Sequence, residues 1–232
     1  MDDSANRDEW KKAAARAAAL LVEDGMIVGL GTGTTAAFLV TLLGERVRGG
    51  LRMIGIPTSE RTAAQAAAEG IPLATFADFQ RIDLTIDGAD EILPPALHLI
   101  KGAGGALLRE KIVAAASARM AVISDASKLV DRLGSVFAVP VEIVPFGWEA
   151  TASRLRDRAG EVKLRLGPDS APYVTDGGHY IVDCRFGAID DPAALERDLR
   201  SVVGVVERGL FVGLATEALI ADASGVRRLA RG

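Results

Sequence analysis

Apolar and polar positions along this chain fall into blocks whose period switches between that of a helix and that of a strand, and those switches predict the elements. Residues 7–22 form an Ala-rich segment punctuated by Lys and Arg, which reads as a helix ended by the turn at Asp24-Gly25. A short apolar strand at 26–30 follows, then a Gly/Thr stretch, a helical segment to about Glu45 and an apolar strand at 51–56. The rhythm continues with a helix at 60–69, a short apolar segment at 71–75, a strand at 82–86, a helix at 106–118 and a strand at 120–124. Strands alternating with helices at this pace predict an α/β fold, a Rossmann-like, mostly parallel sheet with helices on both faces.

Beyond residue 133 the pattern changes. Strand-like 136–144, helical 149–158, strand-like 161–166, a turn at Asp176-Gly177-Gly178, a strand at 179–184 and a helix at 192–202 follow the order of a small ferredoxin-like α+β unit. The apolar stretch 210–229 is expected to rejoin the first sheet. The division this predicts is a catalytic α/β domain from 1–133 and 208–232, with a smaller inserted α+β domain at 134–207.

Composition narrows the function classes. The 232 residues are 49% hydrophobic, enough for a sizeable core. The formal charge is −4 with no basic block, which argues against a nucleic-acid partner. The chain opens Met1-Asp2-Asp3-Ser4, and its longest early apolar run, 17–22, is too short for a signal peptide core or a membrane span, so no membrane partner is expected. A single cysteine, Cys184, closes no intrachain disulfide and builds no Cys-rich metal site, and a reducing cytoplasm is its natural home.

Three segments carry candidate chemistry, each just after a predicted strand, where open α/β sheets bind ligands. The first is Gly29-Leu30-Gly31-Thr32-Gly33-Thr34-Thr35-Ala36, whose backbone N–H groups at a helix start suit a phosphate. Its match to the dinucleotide fingerprint is weak, because Pro57-Thr58-Ser59 stands where an acidic residue is needed to hold a ribose, and a tight turn that needs glycine is the competing reading. The second is Asp87-Gly88-Ala89-Asp90-Glu91, read as a ligand or divalent-metal site or as a solvated acidic turn. Ten residues on, Lys101, a glycine turn and an apolar helix bearing Glu110 follow; burial would raise the Glu110 pKa toward that of a working base, and a plain salt bridge with Arg109, Lys111 or a distant partner is an equal alternative. The third is Ser124-Asp125-Ala126-Ser127-Lys128, where Lys128 adds a cation to the same rim or is merely solvated. His98 and His179 lack partners at ligand spacing, so neither a zinc site nor a serine triad is expected.

Taken in order, these segments resemble the ribose-5-phosphate isomerase A family: GLGTGTTA at 29–36, PTSERT at 57–62, DGADE at 87–91, KGAGGALLREKI at 101–112, SDASKLVDRLG at 124–134, PVEIVPFG at 140–147, TDGGHYIVDC at 175–184 and GVVERGLF at 204–211. The resemblance implies interconversion of ribose 5-phosphate and ribulose 5-phosphate through an enediol, with no metal and no cofactor. It assigns the proton-transferring base to Glu110, charge stabilisation to Lys101 with Gly102, Gly104 and Gly105, ring opening to Asp87, and positioning of the substrate or of Lys101 to Asp90. Phosphate is expected at Thr32, Gly33, Thr34 and Thr35, helped by Lys11 and Lys128. A homodimer or homotetramer is implied as well. The sequence departs from the family at Ala103, Thr34 and Ala126, and Ala103 would matter if the turn needed a positive φ there. The alternatives are an amino-sugar phosphate deaminase of related fold, which leaves Lys101 and Glu110 together unexplained, and a sugar-phosphate sensor, which would normally carry a DNA-binding segment.

Overall fold

The computed structural model describes residues 3–232, so Met1 and Asp2 of the acidic opening lie outside the described residues. The chain begins α1 (Asp3–Ala19), β1 (Ile27–Leu30), α2 (Thr34–Arg48), β2 (Ile54–Pro57), α3 (Glu60–Ala68), β3 (Ile82–Asp87), β4 (Glu91–Leu93), β5 (His98–Ile100), α4 (Leu107–Ala115) and β6 (Ser117–Asp125). It continues β7 (Val139–Ile143), α5 (Trp148–Arg156), β8 (Glu161–Leu164), β9 (Tyr180–Arg185), α6 (Pro192–Arg200), β10 (Val205–Arg208), β11 (Leu210–Phe211), β12 (Glu217–Asp222) and β13 (Gly225–Ala230).

The main sheet runs in the order β13-β12-β6-β3-β1-β2 and is parallel except for β13, which returns antiparallel to β12. Because β1 pairs with β2 on one side and β3 on the other, the strand order reverses there, and a crevice opens at the carboxyl ends of β1 and β3. Alternation along the strands separates two cores. Ala121 and Ile123 of β6 join Leu84 and Ile86 against α1 and α2, where Ala14, Ala15 and Ala18 are small enough to let α1 approach Leu39 and Leu43. Met120 and Val122 point the other way, toward Ala114 of α4 and toward Ile92, Leu99 and Phe211. That second face is therefore covered by α4 together with a three-stranded sheet, β11-β5-β4.

The remaining strands form an antiparallel sheet in the order β10-β7-β9-β8, which is the ferredoxin-like order anticipated from the element sequence. Its core packs Val141, Ile143 and Val182 with Ala152 and Leu155 of α5 and Leu199 of α6. Cys184 belongs to this core, and burial pushes its thiol up to about 12, so it is a packing residue.

Some boundaries differ from the periodicity. The helix expected at 106–118 ends at Ala115, and Ser117–Asp125 is strand. Alanine propensity would carry the helix on; pairing with β3 stops it, because the Ala116 carbonyl accepts from the Ile82 N–H and the Ser117 hydroxyl donates back to the Val113 carbonyl. The hairpin β4–β5 has no periodic signal, and Leu210–Phe211 pairs with β5 before the chain rejoins the main sheet. Among the described residues no helix is long and apolar enough to cross a membrane.

Candidate active site

The end of β1 is locked to the end of β3: the Gly31 N–H donates to the Ile86 carbonyl at 3.0 Å and the Thr32 N–H to Asp87 Oδ1 at 3.1 Å. A Cβ on residue 31 would lie 2.2 Å from that carboxylate oxygen, so only glycine admits the approach. Gly33 then takes φ 127° and ψ 178°, a conformation reserved for glycine, and starts α2 with no side-chain cap. The first-turn N–H groups of α2, beginning at Thr34 and Thr35, consequently have no partner within the helix and face a cleft of about 530 Å³. Lys11, Arg61 and Lys128 add positive charge to its wall. Lys11 also pairs with Asp8 at 2.9 Å, and Lys128 lies 4.4 Å from the centre of the Phe137 ring.

Deeper in the cleft, Lys101 Nζ stands 3.0 Å from Asp87 Oδ2 and 3.2 Å from Glu110 Oε2, and donates to the Gly88 carbonyl at 2.7 Å. All three side chains are buried: relative exposures are 0% for Asp87, 2% for Lys101 and 3% for Glu110. Asp87 Oδ1 accepts from the N–H groups of Thr32 and Gly88, whereas Asp87 Oδ2 and Glu110 Oε2 face the ammonium and have no other polar partner among the described residues. Burial, reinforced by the Asp87 charge and only partly opposed by Lys101, pushes the Glu110 carboxyl up to about 8. Burial also raises Asp87, against the pull of Lys101. For Lys101 burial disfavours the charge, but the carboxylates of Asp87 and Glu110 outweigh it and hold its pKa above the ordinary lysine value. The centre thus combines a firmly charged ammonium with a carboxyl able to take and return a proton near neutral pH.

Most expected residues converge here: Lys11, Thr32, Gly33, Thr34, Thr35, Asp90, Lys101, Gly102, Gly104, Glu110 and Lys128 all line the cleft. Four placements change the picture. Asp87 lies beneath the floor, fully buried, and meets the cleft only beside Lys101. Thr32 has its N–H committed to Asp87 and its hydroxyl proton to Ser59 Oγ at 2.8 Å, within a buried cluster completed by Thr58 and Thr62, so it has no donor left for a phosphate. Gly105 sits outside the cleft against Tyr173, whose hydroxyl would be 2.2 Å from a Cβ there. Ala103 is not in the positive-φ region, which belongs in this turn to Gly102 and Gly105, so alanine is accommodated without strain.

The acidic run after β3 disperses. Asp90 accepts from the Ala103 N–H at 2.9 Å, and Glu91 turns away to receive the N–H groups of Gly134, Val136 and Phe137 at 2.6, 2.7 and 2.7 Å. Among the described residues no group of three or more His, Cys, Asp or Glu is placed to hold a metal ion. Arg61 and Gln65, on the same wall, were not singled out from sequence. The signal for Arg61 was the PTSERT segment, which begins at the last residue of β2, at the same end of the sheet as the Gly/Thr loop; Gln65 lies beyond it on α3.

Residues 54–225 match the family model described as Ribose 5-phosphate isomerase A (phosphoriboisomerase A). The chain is 61% identical over 222 residues to Ribose-5-phosphate isomerase A of Gloeobacter violaceus, covering 96% of each chain. It is 56% identical over 226 residues to the protein of that name from a Synechococcus species, covering 97% of this chain and 98% of the relative. Among solved structures it is similar to a D-ribose-5-phosphate isomerase in complex with phospho-erythronic acid, with a TM-score of 0.94, 39% identity, and coverage of 97% of this chain and 100% of that one. The ribose 5-phosphate isomerase A of Methanocaldococcus jannaschii superposes with a TM-score of 0.92 at 39% identity, covering 96% and 99% of the two chains.

Proposed function

Because this chain belongs to the ribose 5-phosphate isomerase A family, we infer that it interconverts D-ribose 5-phosphate and D-ribulose 5-phosphate, and we propose how its residues divide that work. Glu110 removes the proton from C2 of the open-chain aldose and returns it to C1, leaving an enediolate between the two transfers. The negative charge that develops on the oxygen at C1 is met by the Lys101 ammonium, which its two carboxylate neighbours keep charged. Ring opening and the exchange of protons between the C1 and C2 oxygens fall to the acids around Lys101. Asp90 acts from the cleft wall, and Asp87 reaches the reacting oxygens only past the ammonium. The phosphate sits at the N-terminus of α2, against Gly33, Thr34 and Thr35, with Lys11, Lys128 and Arg61 around it.

The observation that carries this reading is the buried Glu110–Lys101–Asp87 arrangement beside an uncapped helix N-terminus in one cleft. A non-catalytic sensor has no use for a poised base and a fixed ammonium together, and membership of the isomerase family favours the isomerase over a deaminase. The test is a direct assay of ribulose 5-phosphate formation from ribose 5-phosphate, run with and without a chelator. We expect turnover that is indifferent to chelation. No ribulose 5-phosphate would overturn the isomerase reading, and loss with EDTA restored by magnesium would overturn the metal-free one. The family resemblance also carries a cytoplasmic location and a homodimer or homotetramer, the latter checked by the mass in light scattering.

A further inference from the structure

We propose that Arg165, on the small antiparallel sheet, is a positioning residue for this reaction: keyed by Asp183, it grips the Gly102–Ala103 peptide and thereby fixes Lys101. Arg165 immediately follows β8. Its Nη1 donates to the Gly102 carbonyl at 2.7 Å and to that of Ala103 at 3.3 Å. Its Nε donates to Asp183 Oδ2 at 3.0 Å, and Nη2 pairs with Asp183 Oδ1. The N–H of the same peptide group, on Ala103, is taken by Asp90. One peptide is thus held at its oxygen by a guanidinium and at its nitrogen by a carboxylate, and the Gly105 N–H closes the turn onto the Gly102 carbonyl at 3.0 Å.

The other side of Lys101 is fastened to the same sheet. Its N–H donates to the Gly209 carbonyl at 2.9 Å, while the Gly209 N–H donates to Pro140 of β7 at 2.7 Å. A turn of the composition Gly-Ala-Gly-Gly has no side chains to lock its own shape, so its conformation depends on an outside brace. An arginine fork seated on a carboxylate supplies one with a fixed direction. The distances at stake are the 3.0 and 3.2 Å that set Lys101 between Asp87 and Glu110.

This inference rests on the role proposed above for Lys101, and its test separates the two. The full chain and its Arg165→Met, Arg165→Lys and Asp183→Asn variants are compared for kcat, KM, the pH profile of kcat/KM and thermal midpoint. Arg165→Met should lower kcat about 10- to 100-fold, the range of a charge-assisted hydrogen bond, with KM changed by less than about threefold because the phosphate contacts remain. Arg165→Lys should recover part of the loss, since an ammonium reaches one carbonyl but cannot also hold Asp183 in two places. Asp183→Asn should fall between, and it carries the test with Arg165→Lys if Arg165→Met does not fold. The acidic limb should move to higher pH in Arg165→Met, because of the groups facing Glu110 (Asp87, Lys101 and Asp90) only Lys101 opposes protonation. An unchanged kcat, or a loss that follows the thermal midpoint with no movement of the limb and no recovery by lysine, would overturn the proposal. A wild-type chain that fails to isomerise ribose 5-phosphate would instead overturn the reading on which it rests.

Discussion

The base role proposed for Glu110 rests on one side chain whose properties are set by its neighbours. With its carboxyl raised to about 8 and the ionised form the active one, kcat/KM should climb with pH through the neutral range and level off above about 8. Glu110→Gln should remove about 10²–10⁴-fold of kcat while leaving KM nearly unchanged, and a turnover close to wild type would take the base role away from it. The raised pKa also works against stability: the folded state holds this proton more tightly than the unfolded chain, so the contribution present below 4.5, the ordinary value for glutamate, is lost as pH rises toward about 8. The stability of Glu110→Gln relative to wild type should therefore improve over that window, which chemical denaturation at several pH values would show. The two threonines of the loop separate binding from structure. Thr35→Ala should raise KM by about tenfold with a smaller fall in kcat. Thr32→Val removes the hub of the buried hydroxyl cluster and should cost about 1–3 kcal/mol of stability with little direct effect on KM.

At the scale of elements, the site exists because β1 and β3 end side by side and α2 starts immediately after. Gly31 and Gly33 serve that junction for different reasons, and alanine at each should reveal the difference. At Gly33 nothing among the described residues lies within 4 Å of an added Cβ, so Gly33→Ala meets the conformational penalty of its φ, about 1–3 kcal/mol. The variant should fold with a lowered midpoint and weakened substrate affinity. At Gly31 the Cβ would fall 2.2 Å from Asp87 Oδ1 and 2.6 Å from the Asp87 Cα, part of the backbone. Gly31→Ala should prise β1 from β3 and abolish activity even in whatever fraction folds, and a variant retaining substantial kcat would contradict this account of the junction. Helix α4 obeys a similar logic, because tertiary pairing at Ala116 and Ser117 sets where it ends.

Across the whole molecule, the small antiparallel sheet is fastened to the rest by polar anchors. Glu91 is one, a buried carboxylate receiving three backbone N–H groups from the segment that leads into β7. Glu91→Ala leaves those donors without their acceptor and should cost about 3 kcal/mol or more, a drop of roughly 6–12 °C in thermal midpoint for a chain of this size. An unchanged midpoint would show that the segment at 134–137 finds other partners. Arg109 forms a second anchor, pairing with Glu60 at 2.7 Å and reaching the Asp176 carbonyl at 3.2 Å, which ties α4 and α3 to the loop before β9.

The sequence by itself determined the α/β alternation, the ferredoxin-like order of the later strands and the segments that carry chemistry, because hydrophobic period, glycine positions and residue type are local properties of the chain. Glu110, Lys101 and Asp90 were legible as candidates for the same reason. Only the tertiary structure decided what those groups do to one another. Whether Glu110 forms an ordinary salt bridge or a poised base depends on which charges are buried beside it, and its neighbours arrive from residues 87 and 101, on other elements. The dispersal of the acidic run follows the same rule, since Glu91 finds its partners more than forty residues away. Thr32 looked like a phosphate donor because it lies in a Gly/Thr loop; that its hydroxyl turns inward is fixed by Thr58, Ser59 and Thr62 from the neighbouring strand end and α3. A pKa and a hydrogen-bond partner are properties of the space around an atom, and in this fold that space is filled by residues distant in sequence.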